Sequence, residues 1–224
     1  MKSKLTLFAI LCMFTVASFG QGAIKLNMYG AYAFDDKFDS YYDIDEYYNG
    51  KIMGGFQWGV GLEYMLHRYY GLELSWMQQN TTAPIKYQGG AYPSVKSTDF
   101  DLSSNYILLG TNRYFPVSNS MIEPYVGLGV GMSLMALRNP ENGRKSDREF
   151  FAWSMKAGSN IFFSEKVGLK VQAQLLSSVQ SVGGGFYFGT GGSGAGLSTY
   201  SSIMQICLGG GLVFKLGQAK TTGK

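Results

Sequence analysis

Apolar residues recur at every second position in eight stretches of this chain, and that period of two constrains the fold more than any motif does. In "YVGLGVGMSLM" (125–135), Val126, Leu128, Val130, Met132 and Leu134 share one face. Tyr125, Gly127, Gly129, Gly131 and Ser133 share the other. The same alternation runs through "IKLNMYGAYAF" (24–34), "FQWGVGLEYML" (56–66), "YGLELSWMQ" (70–78), "FAWSMKAGSNIFF" (151–163), "VGLKVQAQL" (167–175) and "SSIMQICLGGGLVFKL" (201–216). "NYILLGTNRYF" (105–115) is the weakest, because neither of its faces is cleanly apolar. Alternation of this kind prescribes strands with two unlike faces. It also disposes of the glycines at 127–131 as a dinucleotide loop, which needs G-x-G-x-x-G between a strand and a helix. The connections predicted near 67–69, 116–121 and 164–166 are short; those near 35–53, 81–98, 138–148 and 181–199 are long. Pro84, Pro93, Pro116 and Pro140 fall in these connections and Pro124 opens a strand, as expected where proline would remove a ladder donor.

The first twenty residues stand apart. Lys2 and Lys4 precede the apolar run "LTLFAILCMFTVASFG", which ends in small residues, the pattern of a cleavable Sec-type signal peptide with the cut before Gln21. The run is short for a spanning helix of about 20 residues, and Leu11 before Cys12 argues against a lipoprotein. The expected organisation is a signal peptide at 1–20, one barrel domain at 21–217 and a short periplasmic tail at 218–224. The mature chain keeps one cysteine, Cys207, and one histidine, His67, so an internal disulfide and a Cys/His metal site are both excluded. The net charge of +4 is mild and dispersed, and does not point to nucleic acid. Charged residues make up 15% of the chain, against about 25% in an ordinary soluble domain.

The polar faces decide which way the barrel is turned. They carry mainly Gly, Ser, Asn and Gln, where a water-facing exterior would be dense in Lys and Glu. Small polar residues suit the crowded interior of an eight-stranded barrel, leaving the apolar face to lipid. Aromatics gather at the strand ends: Phe56, Trp58, Trp76 and Trp153 toward the long loops, and Tyr70, Tyr114, Phe163 and Phe214 toward the short turns. Two girdles, with short turns at one end and long loops at the other, describe a transmembrane β-barrel. The predicted fold is therefore all-β: an eight-stranded antiparallel up-and-down transmembrane barrel. A soluble lipocalin-like binding barrel is the minor alternative.

The stretches "GLEYMLHRYYGLELSW", "NYILLGTNRYF", "EPYVGLGVGM" and "GGGLVFKL" resemble the small eight-stranded outer-membrane barrels of Gram-negative bacteria, the family of the OmpA membrane domain and OmpX. They are most similar to the outer membrane protein beta-barrel domain group of the Bacteroidetes, which includes PorT-like proteins. The resemblance covers about residues 22–216. It implies residence in the cell outer membrane, contact with outer-membrane lipid and lipopolysaccharide, and insertion by the barrel-assembly machinery. Such barrels often end on an aromatic residue; here the chain continues past Phe214 through "KLGQAKTTGK".

Little in the sequence suggests catalysis, and no catalytic, cofactor-binding or metal residue is assigned. His67 lies at a short turn on the expected periplasmic side, away from where outer-membrane hydrolases place their histidine. Cys207 falls on the Gly/Gln face. The acidic residues Asp35, Asp36, Asp39, Asp43, Asp45 and Glu46 in the first long loop lack EF-hand spacing and are read as solvated. Arg144, Lys145 and Arg148 in the third loop could meet lipopolysaccharide phosphates. The most informative set is the charges that parity turns inward: Lys25, Glu63, Glu73, Arg113, Lys156 and Lys170, four cations against two carboxylates, expected to form a lumen polar network. The expected function is a non-enzymatic barrel that displays its loops to an extracellular partner or supports envelope integrity. A small ion channel through the polar lumen is the alternative.

Overall fold

Each of the eight alternating stretches forms a strand in the computed structural model, which describes residues 23–43, 46–89, 92–118, 120–179, 185–189, 192–196 and 202–216. The strands are β1 (Ile24–Ala33), β2 (Asp36–Asp43), β3 (Glu46–Ile52), β4 (Gly55–His67), β5 (Tyr70–Gly89), β6 (Tyr92–Tyr114), β7 (Ile122–Arg138), β8 (Lys145–Phe162), β9 (Val167–Val179), β10 (Gly185–Gly189), β11 (Gly192–Gly196) and β12 (Ser202–Lys215). Eight of them pair antiparallel in the order β5-β4-β1-β12-β9-β8-β7-β6, and β6 pairs back onto β5 to close the barrel. Closure satisfies every wall strand on both sides, which hydrocarbon demands of any backbone crossing it. The remaining four strands make two hairpins, β2–β3 and β10–β11, at the end opposite the short turns. The expected signal peptide and the tail at 218–224 lie outside the described residues.

Within the barrel wall the alternation reads as anticipated. Leu62, Leu128, Val130 and Val171 are exposed on the outside, with Leu128 62% and Val130 56% accessible, while Gln57, Ser75, Gln172 and Gln174 are buried inside. An apolar exterior that encircles the molecule far exceeds the patches a soluble monomer tolerates. Trp58 and Trp76 meet edge to face, ring centroids 5.0 Å apart, on the outer surface toward the hairpin end. Tyr70, Phe115 and Phe163 are exposed at the short-turn end. Tyr114, expected in that girdle, points the other way and is buried in the lumen.

The long connections differ most from expectation. β5 runs for 20 residues and β6 for 23, so the stretch 81–98, expected as a loop, is mostly strand. About 9–11 residues suffice to cross a membrane, so these strands continue well beyond it. There the alternation reverses sense. On β6, Thr98, Phe100 and Leu102 point inward while Asp99 and Asp101 point out; on β5, Ala83 and Ile85 point inward while Thr82 and Lys86 point out. Pro84 lies inside β5, contrary to its expected place in a connection. It sits where β5 has left its partner β4, last paired at Gln79, and has not yet met β3, first paired at Ile85, so no ladder donor is required on that side. Pro93 is likewise inside β6, next to its start. The first acidic loop is the β2–β3 hairpin. At its base Asp35 accepts from Gly54 N–H at 2.6 Å and pairs with Lys51, and Asp36 accepts from Met204 N–H at 2.9 Å, with burial raising the Asp36 carboxyl above its ordinary pKa. The glycine-rich fourth loop contains the β10–β11 hairpin. In the third, the connection narrows to a turn between Arg138 and Lys145, where Gly143 takes a left-handed φ of 69°.

Candidate functional site

The lumen is built in two storeys. The lower one, toward the short turns, is organised around two carboxylates placed directly opposite each other, Glu63 on β4 and Glu73 on β5. Both are removed from solvent, at 0% and 1% exposure. Like charges facing each other across a strand pair are unfavourable, so the pair persists only because donors surround it. Asn27 Nδ2 donates to both, at 3.2 and 2.8 Å, and Asn112 Nδ2 does the same from the other side, at 2.8 and 3.0 Å. Tyr114 Oη lies 2.8 and 2.7 Å from the two oxygens of Glu63. Tyr29 Oη and Lys156 Nζ donate to Glu73. Glycines make the room: a Cβ on Gly71 would stand 2.8 Å from Glu63 Cδ, and one on Gly61 would stand 3.1 Å from Glu73 Cδ.

The cations complete this arrangement. Lys25 Nζ bonds Glu123 Oε2 at 2.9 Å and lies 3.8 Å from the centre of the Tyr114 ring. Lys170 is 1% exposed; its Nζ has no hydrogen-bond partner among the described residues and rests over the Tyr125 ring at 4.4 Å and Tyr29 at 5.5 Å. Ring faces carry partial negative charge and add to the attraction of the nearby Glu73 and Glu63 carboxylates. Of the six charges expected inside, five lie in the lumen: Lys25, Glu63, Glu73, Lys156 and Lys170.

Arg113 does not lie in the lumen. It is exposed on the outer face near the end of β6, with its guanidinium 5.5 Å from the Tyr70 ring and 5.3 Å from Phe115. The parity error arose on the one strand whose faces are both mixed, since Tyr106, Leu108 and Tyr114 point inward while Thr111 and Arg113 point out. In its place the barrel takes in Glu123, which the sequence reading passed over beside Pro124. Counting odd positions back from Tyr125 along β7 would have found it. The expected excess of positive charge is thus reduced: Lys25, Lys156, Lys170 and Lys215, the last paired across the strand from Lys25 on the same inward face, stand against Glu63, Glu73 and Glu123, leaving one cation in excess.

The upper storey is apolar. Above a belt of Gln57, Gln79, Ser104 and Ser133, with Ser178 Oγ bonded to Ser133 Oγ at 2.8 Å, the interior is filled by Ile85, Phe100, Leu102, Tyr106, Met135, Leu137, Phe150 and Leu176. Cys207 is buried beside Ala31 and Ala33. His67 is exposed at the β4–β5 turn, its ring 5.5 Å from that of Tyr69. Among the described residues, no three His, Cys, Asp or Glu side chains gather as metal ligands.

Comparison with known proteins gives this architecture a family. The sequence model of the "Outer membrane protein beta-barrel domain" matches residues 5–200. No curated protein matches the sequence. Among solved structures, the fold is similar to the outer membrane protein OprG from Pseudomonas aeruginosa (TM-score 0.55, 12% identity, 88% of this chain and 96% of that one). It is also similar to Neisserial surface protein A (TM-score 0.53, 14% identity, 88% and 98%), and to the outer membrane protease OmpT from Escherichia coli (TM-score 0.50, 6% identity, 87% and 97%). At these identities the likeness is one of fold, and a protease is among the proteins that share it. The location follows from the family and the encircling apolar band: this is a protein of the outer membrane. The chain belongs to the outer membrane protein beta-barrel domain family.

Proposed function

We propose that the protein is a closed, non-enzymatic outer-membrane barrel whose work is done by the wall it raises above the membrane, as a binding surface or a support of the envelope. The observation that carries this reading is the two-storey lumen. An ion entering from the short-turn side meets a network in which each carboxylate is already bonded, then a plug of packed apolar side chains. Moving a charge through the second region would cost far more than thermal energy, so the polar lumen is a structural core rather than a path. The strands β5 to β8 are longer than a membrane crossing requires and carry polar outer faces beyond it, which suits display. Among the described residues, His67 stands at a turn without a nucleophile or carboxylate arranged around it for acid–base work. By the family pattern of short periplasmic turns, the wall and its hairpins face outside.

The discriminating experiment is single-channel recording of the refolded protein in planar bilayers. Closed bilayers at all voltages are the expected result; a steady, reproducible unitary conductance would replace this proposal with the channel reading.

A further inference from the structure

The misplaced arginine leads to a second site. Cross-strand register puts Tyr70 opposite Arg113, Arg113 opposite Val126, Val126 opposite Ala157, Ala157 opposite Ala173, and Ala173 opposite Leu208. All six side chains point outward. Because barrel strands tilt, such a row climbs the wall obliquely. From Arg113, the penultimate residue of β6, it reaches the middle of β9 at Ala173. Two alanines in a row otherwise built of larger side chains leave a trough of about 650 Å³, lined by Arg113, Val126, Leu128, Ala157, Ala173 and Leu175 among others. At its foot a second hollow of about 340 Å³ is lined by Tyr69, Tyr70, Arg113, Phe115 and Pro116. Arg113 and Tyr70 belong to both hollows.

The chemistry of the two hollows differs. The upper one is almost wholly apolar and faces the hydrocarbon. The lower one lies at the aromatic rim and holds a cation with no carboxylate partner among the described residues, its guanidinium flanked by two rings. A guanidinium fixed in this way matches the planar, two-pronged recognition of a phosphate. From Arg113 to Ala173 the row crosses three strand spacings, a path of about 14 Å; with strands tilted by about 35–45° it reaches about 8–10 Å into the roughly 15 Å that one leaflet contributes to the hydrocarbon core. One molecule with an anionic head and an apolar chain lying along that oblique path would fill both hollows.

We propose that this face binds a single glycerophospholipid of the periplasmic leaflet, with its phosphate on Arg113 and an acyl chain along Ala157 and Ala173. The assignment is independent of what the lumen or the outer wall does.

The test is native mass spectrometry of the refolded protein in dodecyl maltoside, titrated with palmitoyl-oleoyl phosphatidylethanolamine. The parent is expected to retain one lipid. Arg113→Gln, which removes the charge-assisted contact, and Ala173→Phe, which fills the trough, should each weaken retention about tenfold. Lys166→Gln, a cation exposed on the same rim but outside both hollows, should leave it unchanged. Heat-modifiable gel migration verifies that each variant is folded. If Ala173→Phe fails to fold, Arg113→Gln against Lys166→Gln still decides. Equal retention in Arg113→Gln and the parent, or an equal loss in Lys166→Gln, overturns the proposal.

Discussion

Replacing Glu73 with glutamine should be the most damaging single-atom change in the barrel. The carboxylate accepts from Asn27 at 2.8 Å and Asn112 at 3.0 Å, and also from Tyr29 and Lys156. Tyr29 and Asn27 address one oxygen, Asn112 and Lys156 the other. A glutamine can keep only one of those oxygens, so two donors would face its amide N–H groups, and Lys156 would lose its counter-charge in a site sealed from water. Removing one member of a buried ion pair costs about 3–5 kcal/mol, and Glu73→Gln should fall in that range. Glu63→Gln should cost less, about 1–2 kcal/mol, because its hydrogen-bond partners Tyr114, Asn27 and Asn112 are neutral. The double variant Glu73→Gln/Lys156→Met removes the orphaned ammonium and should recover at least about half of the loss. Urea unfolding in lipid vesicles, followed by the fluorescence of Trp58, Trp76 and Trp153, measures all four proteins. If Glu73→Gln unfolds within about 1 kcal/mol of the parent, or if the double variant is no better than the single, the buried pair is not what holds the lower storey together.

Three further outcomes are expected. Gly71→Ala should destabilise the barrel by about 1–3 kcal/mol in the same assay, since the new methyl collides with the Glu63 carboxylate; an unchanged midpoint would mean that the carboxylate can move aside. Cys207, 1% exposed, should resist a thiol reagent in the folded barrel and react on unfolding in urea, as scored by mass shift; rapid labelling of the folded protein would contradict the packing beside Ala31 and Ala33. In a Cys207→Ser background, a cysteine at Asn142 should be labelled by an impermeant reagent on whole cells and one at His67 should not; the reverse pattern would invert the orientation.

The period-two pattern was enough to determine the eight strands of the wall and the outward turn of their apolar faces, though not the four short hairpin strands, because a strand's side chains alternate regardless of what surrounds it. Glu63, Glu73, Lys156 and Lys170 were legible for the same reason: each sits on a strand whose other face is plainly apolar. Arg113 was not, because "NYILLGTNRYF" divides its apolar residues between both faces, and only pairing with β5 and β7 sets its phase. The upper storey was legible in principle. "TDFDLS" and "TTAPIK" keep the alternation with its polarity reversed, apolar inward and charged outward, the mark of a strand that has left lipid for water. Reading them as loops treated acidic and proline residues as breaks when they were the outer face of a continuing strand. What no local pattern could supply is who meets whom. That Glu63 and Glu73 face each other, that two asparagines bridge them, that Glu123 neutralises Lys25 from 98 residues away, and that Arg113 begins a row ending over Ala173 all depend on the register between strands. Register is settled only when the closed barrel satisfies every backbone bond and every buried charge at once.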